Sequence, residues 1–177
     1  MKSSISFSIF LLFISITYNT MAQNTLADPK LEFAFEATVT LDPPQDLGAT
    51  TYGKRRIIPI TGGTFAGPNL KGTILPGGAD WQTVRSDGTA DLEARYTLKT
   101  DDGVLIYIQN KGIRTGKPEV LARLGKGEKV DPTEYYMRTY ATFEVAEGKY
   151  SWMTKGIFVA TGMRNANSVV IRFFRVL

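Results

Sequence analysis

Three pairs of polar side chains stand two residues apart in this chain: Asp80 with Gln82, Glu93 with Arg95, and Tyr136 with Arg138. On an extended strand that spacing puts both members of a pair on one face. A carboxyl group enclosed beside an amide, a guanidinium or a phenol titrates away from its usual range and can give or take a proton. On that reading Asp80, Glu93 and Tyr136 are the proton-moving candidates. Trp81, Gln82, Arg95, Asn110 and Arg138 are the candidates for holding a substrate, with the arginines positioned to bind an anionic or enolate oxygen. The same pairs have a plainer reading. Facing outward they are ordinary cross-strand ion pairs, each worth roughly a few tenths of a kcal/mol. Asp80 beside Trp81 is likewise either a desolvated acid on a pocket wall or a turn-capping aspartate next to a core indole. Asn110, just before Lys111-Gly112, is a ligand contact or a turn residue.

Composition narrows the chemistry further. The sequence holds no histidine and no cysteine. That removes zinc sites built on nitrogen or sulfur, haem ligation and iron–sulfur clusters. It also removes histidine-dependent triads and cysteine nucleophiles. No metal and no cofactor is expected, and the runs GGTFAG and GPNLKG lack the spacings of phosphate-binding loops. Whatever reaction occurs runs on carboxylates, phenols, cations and backbone dipoles. The net charge of +4 is spread over scattered bases, so no nucleic-acid partner is expected. Lys54-Arg55-Arg56 is the exception to the scatter, and reads as a solvated strand end or an anion-binding patch.

The elements that must position these residues are strands. Residues 31–41, LEFAFEATVTL, alternate apolar and polar over their whole length, the period-two signature of a half-buried strand. Asp42-Pro43-Pro44 opens a loop through Thr51, and Tyr52 to Ile60 resumes an extended run. The glycine-rich stretch Thr61–Gln82 interleaves turns with Phe65, Leu70, Ile74, Leu75 and Trp81, too apolar for a linker. Residues 89–99 alternate again and turn at Asp101-Asp102-Gly103 into a strand predicted over 104–110, ended by Lys111-Gly112. Pro118 to Gly125 reads as one short helix, with proline at its start and glycine at its end. Strands follow at 135–145 and around 150–153. A final hairpin over 156–161 and 168–176 turns near Arg164-Asn165-Ala166-Asn167. The pattern predicts an all-β protein, a single antiparallel barrel with one short helix. Its lumen would be lined by Trp81, Tyr96, Tyr136, Trp152 and Phe158.

The N-terminus reads separately. Lys2, the apolar run Ile5 to Ile16 and the small-residue site at Thr20-Met21-Ala22 have the layout of a secretory signal peptide over residues 1–22. The apolar run is about a dozen residues, short of the roughly 20 that span a bilayer. Residues 23–177 are then one exported domain with no stable membrane span.

The runs RRIIPITGGTFAGPNLKGTILPGGADWQ, DGTADLEARYTLKTDDG, YIQNKG, YYMRTYATFEV, GIFVATG and VVIRFFRV closely resemble the domain-of-unknown-function family 3237, over about Leu31 to Leu177. The resemblance implies a calycin-like barrel similar to that of allene oxide cyclase, and it carries no catalytic assignment. Barrels of that kind bind small apolar molecules in the lumen, and some steer isomerisation or cyclisation there. The partner it implies is a small-molecule ligand or substrate, and a homodimer would be ordinary for such a barrel. Two functions follow: a cofactor-free isomerase, cyclase or lyase, or a non-catalytic binding protein comparable in role to a lipocalin.

Overall fold

A computed structural model describes residues 26–177; the signal peptide expected over residues 1–22 lies outside them. The chain runs β1 (Leu31–Leu41), β2 (Gln45–Thr50), β3 (Gly53–Ala66), β4 (Lys71–Ile74), β5 (Gly78–Val84), β6 (Ala90–Thr100) and β7 (Leu105–Gly116). It continues through α1 (Pro118–Gly125), β8 (Tyr135–Val145), β9 (Phe158–Arg164) and β10 (Ser168–Val176). All pairings are antiparallel. Neighbouring strands follow the order β1-β10-β9-β8-β7-β6, then β4 and β5, then β3, and β3 pairs with β1 to close the ring.

The short strands β4 and β5 share one position between β3 and β6. β4 pairs with Gly63 to Ala66 and β5 with Lys54 to Ile60 of the same strand. Counted that way, the ring is a closed barrel of eight strands with one short helix. Closure leaves the eight staves no free edge, while β2 lies outside the ring and pairs with β3 alone.

β3 is long enough to serve both halves because it changes phase midway. Ile58 and Ile60 face inward, and so does Phe65, which strict alternation from Ile60 would send outward. Gly62 and Gly63 lie between them at φ 146° and 133°, and the register against β1 shifts at the same place. A Cβ on Gly63 would lie 2.1 Å from the Thr38 carbonyl oxygen. Only glycine lets the two backbones meet there.

Two apolar clusters fill the barrel. Phe35, Phe65, Phe143, Phe158 and Phe173, together with Leu98, Ile106 and Ile108, fill one end. Phe35 and Phe173 stack with their centroids 4.5 Å apart. At the other end Val120 and Leu124 of α1, with Val130, pack on Ala90, Leu92, Tyr135 and Met137. The helix forms as its sequence dictates, with Pro118 at its first position, and it lays its buried Val120–Leu124 stripe across part of that end.

Four stretches differ from the strands read in the sequence. Gln45–Thr50 is a strand, paired with Gly53–Ile57, where a loop was expected. β7 does not stop at Asn110 but runs on to Gly116, because Lys111-Gly112 is held in the ladder opposite Tyr140 and Thr139. β9 begins at Phe158 and extends to Arg164. The strand expected around 150–153 is a single 3-10 turn, Ser151–Thr154.

Candidate functional site

Between the two clusters lies a cavity of about 40 Å³, room for a few waters or a small chemical group. Its walls are apolar: Val39, Ile58, Ile60, Leu92, Ala94 and Ile171 among others. Set into them are Asp80, Gln82, Tyr96, Asn110, Arg114, Thr139 and Arg164. The two positions contributed by β5 follow from its pleat, since Asp80 and Gln82 share a face. Tyr96 comes from β6 and Asn110 and Arg114 from β7, each on the inward phase of its strand.

The carboxyl of Asp80 is held at both oxygens. Gln82 Nε2 donates to Oδ2 at 2.5 Å and the Glu93 backbone N–H donates to Oδ1 at 3.0 Å. Gln82 in turn accepts from Arg56 Nε at 2.8 Å, so the amide is oriented from both sides. Burial nevertheless dominates, and it lifts the Asp80 carboxyl above the ordinary range despite these bonds and the nearby Arg114 and Arg56. Tyr96, also enclosed, has its phenol pushed upward by burial and then by Asp80.

Opposite this acid stand three cations. Burial pulls Arg114 down to about 10, and Arg56 and Arg164 add to the effect by repulsion. Arg56 and Arg164 are themselves lowered, burial first. The most telling feature is what these groups lack. Tyr96 is 3% exposed, Asn110 2%, and Arg114 and Thr139 8% each. Yet Tyr96 Oη, Asn110 Oδ1, Arg114 Nε and Thr139 Oγ1 have no hydrogen-bond partner among the described residues. Buried polar atoms are nearly always satisfied, and each exception costs about 1–3 kcal/mol. All four line the same cavity.

The expected site residues divide sharply. Asp80, Gln82 and Asn110 come together in the lumen. Trp81 does not, because adjacent residues on a strand point to opposite faces; it lies on the outer side with Arg95 over its ring at 6.0 Å. Glu93 and Arg95 are also on the outer face, joined at 2.6 Å, with Lys111 reaching the same carboxylate at 3.1 Å. Glu93 is held low by those two cations, and both groups are well exposed. The plainer reading applies to this pair. Tyr136 and Arg138 alternate outward from the buried Tyr135, Met137 and Thr139 of β8. Arg138 stacks on Tyr136 at 5.0 Å, beside an open outer groove shared with Tyr140, Val159 and Phe174. Of the aromatics expected to line a lumen, Tyr96 does so; Phe158 and Trp152 belong to the packed end.

The sequence reading missed Arg114 and Arg164, and held Arg56 only within the run Lys54-Arg55-Arg56, read as a solvated strand end or an anion-binding patch. All three sit near strand ends at the α1 end of the barrel. Continuing the alternation of β7 from Ile106, Ile108 and Asn110 through Lys111-Gly112 would have put Arg114 inward. For Arg56 the same continuation runs backward from Ile58 and Ile60.

The fold and this enclosed pocket define a small antiparallel β-barrel with a polar-lined cavity between its two apolar clusters. The chain belongs to the family described as Protein of unknown function (DUF3237), whose model matches residues 29–176. A UPF0311 protein from Clostridium acetobutylicum is 44% identical over 146 residues, 82% of this chain and 92% of that protein. A β-barrel-like protein from Acinetobacter baumannii superposes with a TM-score of 0.77 at 45% identity, covering 88% of this chain and all of the other. A hydroalkoxylation enzyme of Penicillium herquei is 36% identical over 80 residues, 45% of this chain and 53% of its own length. A solved enzyme from the same fungus, at 22% identity and a TM-score of 0.65, shares the fold.

Proposed function

We propose that this barrel is a cofactor-free acid–base catalyst acting on a small molecule held in the lumen, with Asp80 moving the proton. The observation that carries the reading is a buried carboxyl, lifted above its usual range, facing a cavity whose polar groups lack partners. A carboxyl tuned toward neutral pH is suited to giving and taking protons. Addition, elimination or isomerisation at a double bond needs a proton delivered and removed, and no cofactor. Hydroalkoxylation, the activity in the fungal relative's name, falls in that class. In the barrel Arg114 would stabilise an oxyanion as it forms, and Tyr96, Asn110 and Thr139 would orient the substrate.

The second reading is a non-catalytic carrier. The unpartnered groups favour it equally, since they would hold a ligand that leaves unchanged. The test is mass spectrometry on metabolites incubated with wild type, Asp80→Asn and Glu93→Gln. Turnover by wild type and Glu93→Gln, lost in Asp80→Asn, supports the catalyst. Equal turnover in all three removes Asp80 from the chemistry. A metabolite retained unaltered by all three makes the protein a carrier. Export through the N-terminal segment and pairing of two copies belong to this proposal as well. Light scattering on the purified chain tests the pairing.

A further inference from the structure

The chamber's charge does not balance, and the imbalance describes its ligand. Asp80 is the one acid among the residues lining the cavity, while Arg114 and Arg164 line it and Arg56 reaches it through Gln82. Even with Asp80 ionised, three guanidiniums face one carboxylate. They lie close enough for Arg56 and Arg164 to weaken the charged form of Arg114. Arg114 is 8% exposed and its Nε has no partner among the described residues. A buried guanidinium left without an acceptor is costly, and like charges gathered around it add to the cost. An anion would supply the missing charge, because the guanidinium fork matches an oxyanion closely.

We infer that the lumen seats the charged end of an organic monoanion, a carboxylate or a phenolate or enolate, with its charged oxygen against Arg114 among Val39, Ile58 and Ile60 and the rest of the molecule extending toward the chamber mouth. The inference rests on the lumen being a ligand site, as proposed above, and adds the charge of the ligand. The remaining unpartnered atoms suit such a molecule. The Tyr96 hydroxyl can donate to a second oxygen, and Asn110 Oδ1 accepts from a hydroxyl or N–H of the ligand. A neutral ligand would satisfy Asn110 and leave the guanidiniums uncompensated.

The probe is 4-nitrophenol, which is yellow only as the phenolate and titrates near neutrality. It is added to the full chain between about pH 5 and 8, with benzoate and its neutral twin benzamide as competitors. An anion seat lowers the pKa of the bound probe by about one unit or more, a preference of about tenfold for the phenolate. Benzoate then displaces the probe and benzamide does not, and Arg114→Gln brings the shift back toward zero. Apolar enclosure alone shifts that pKa upward. That result, or equal competition by benzamide, overturns the anion and leaves a lumen that takes neutral molecules. Failure of all three probes to bind overturns the ligand site along with it. The wild-type arms decide between these outcomes even where Arg114→Gln does not fold.

Discussion

Asp80 gives the pH dependence of this protein its sign. The folded chain holds the carboxyl proton more tightly than the unfolded chain does, because burial outweighs its hydrogen bonds. Between the ordinary carboxylate range and the raised value, the folded state keeps a proton that the unfolded state has released. Stability therefore falls as pH rises through that window. In Asp80→Asn the slope disappears, which melting temperatures recorded from about pH 4 to 8 would show as a flatter curve than wild type. Parallel curves would mean that the carboxyl is better solvated than its surroundings indicate. Glu93 is the contrast. Its partners Arg95 and Lys111 are exposed, so Glu93→Gln should cost less than about 1 kcal/mol in chemical denaturation. The sequence kept both carboxylates as candidates, with Asp80 the sharper signal, since spacing says that two residues share a face and not which face. What separates them is the phase of β6 relative to the core. Leu92, Ala94, Tyr96 and Leu98 already carry that phase; reading it strictly sends Glu93 and Arg95 outside.

At the scale of the element, the barrel depends on a packed end and on the loops that tie it. Phe35 is fully buried and touches Phe65, Phe143 and Phe173 at centroid distances of 5.9, 6.0 and 4.5 Å. Phe35→Ala should cost about 3–5 kcal/mol, read as a lower denaturation midpoint. Asp102 ties the β6–β7 turn to the segment before the Ser151–Thr154 turn. It accepts from Thr100, Lys149 and Tyr150, and these lower its carboxyl to about 2, Thr100 contributing most. That stabilisation is complete above the unfolded carboxylate range and is lost as pH falls toward about 2. Asp102→Asn should remove this acid-side loss, leaving a variant weaker at neutral pH and less sensitive below about pH 4. Strand existence was largely legible, β1 and β8 to the residue, because both alternate in sequence, although a register shift between Phe33 and Phe35 buries Ala34 and leaves Leu31 exposed. Strand ends were not. Lys111-Gly112 looks like a terminator by composition, and only its partners across the ladder keep it extended. Arg114 and Arg164 lie beyond such false ends, which is why they were missed.

At the scale of the whole molecule, closure depends on the seam where β1 meets β3. Gly63→Ala would drive a Cβ into the Thr38 carbonyl at 2.1 Å, and should leave little folded protein by far-ultraviolet circular dichroism. N-terminal sequencing of protein recovered from the culture medium or periplasm is expected to begin near Gln23; a start at Met1 in the cytosol would end the export proposal. The barrel is plugged by phenylalanines at one end, and its chamber lies toward the other, beneath part of α1. Such a chamber is a cul-de-sac. Whatever goes in must back out the way it came, so a spent molecule blocks the next one and product should inhibit competitively against substrate. A cul-de-sac also inspects its visitors from one direction. The part that arrives first is read closely by Asp80 and the arginines, while whatever trails behind remains in the doorway and can vary. A series of molecules sharing one head and differing in their tails should therefore be accepted alike.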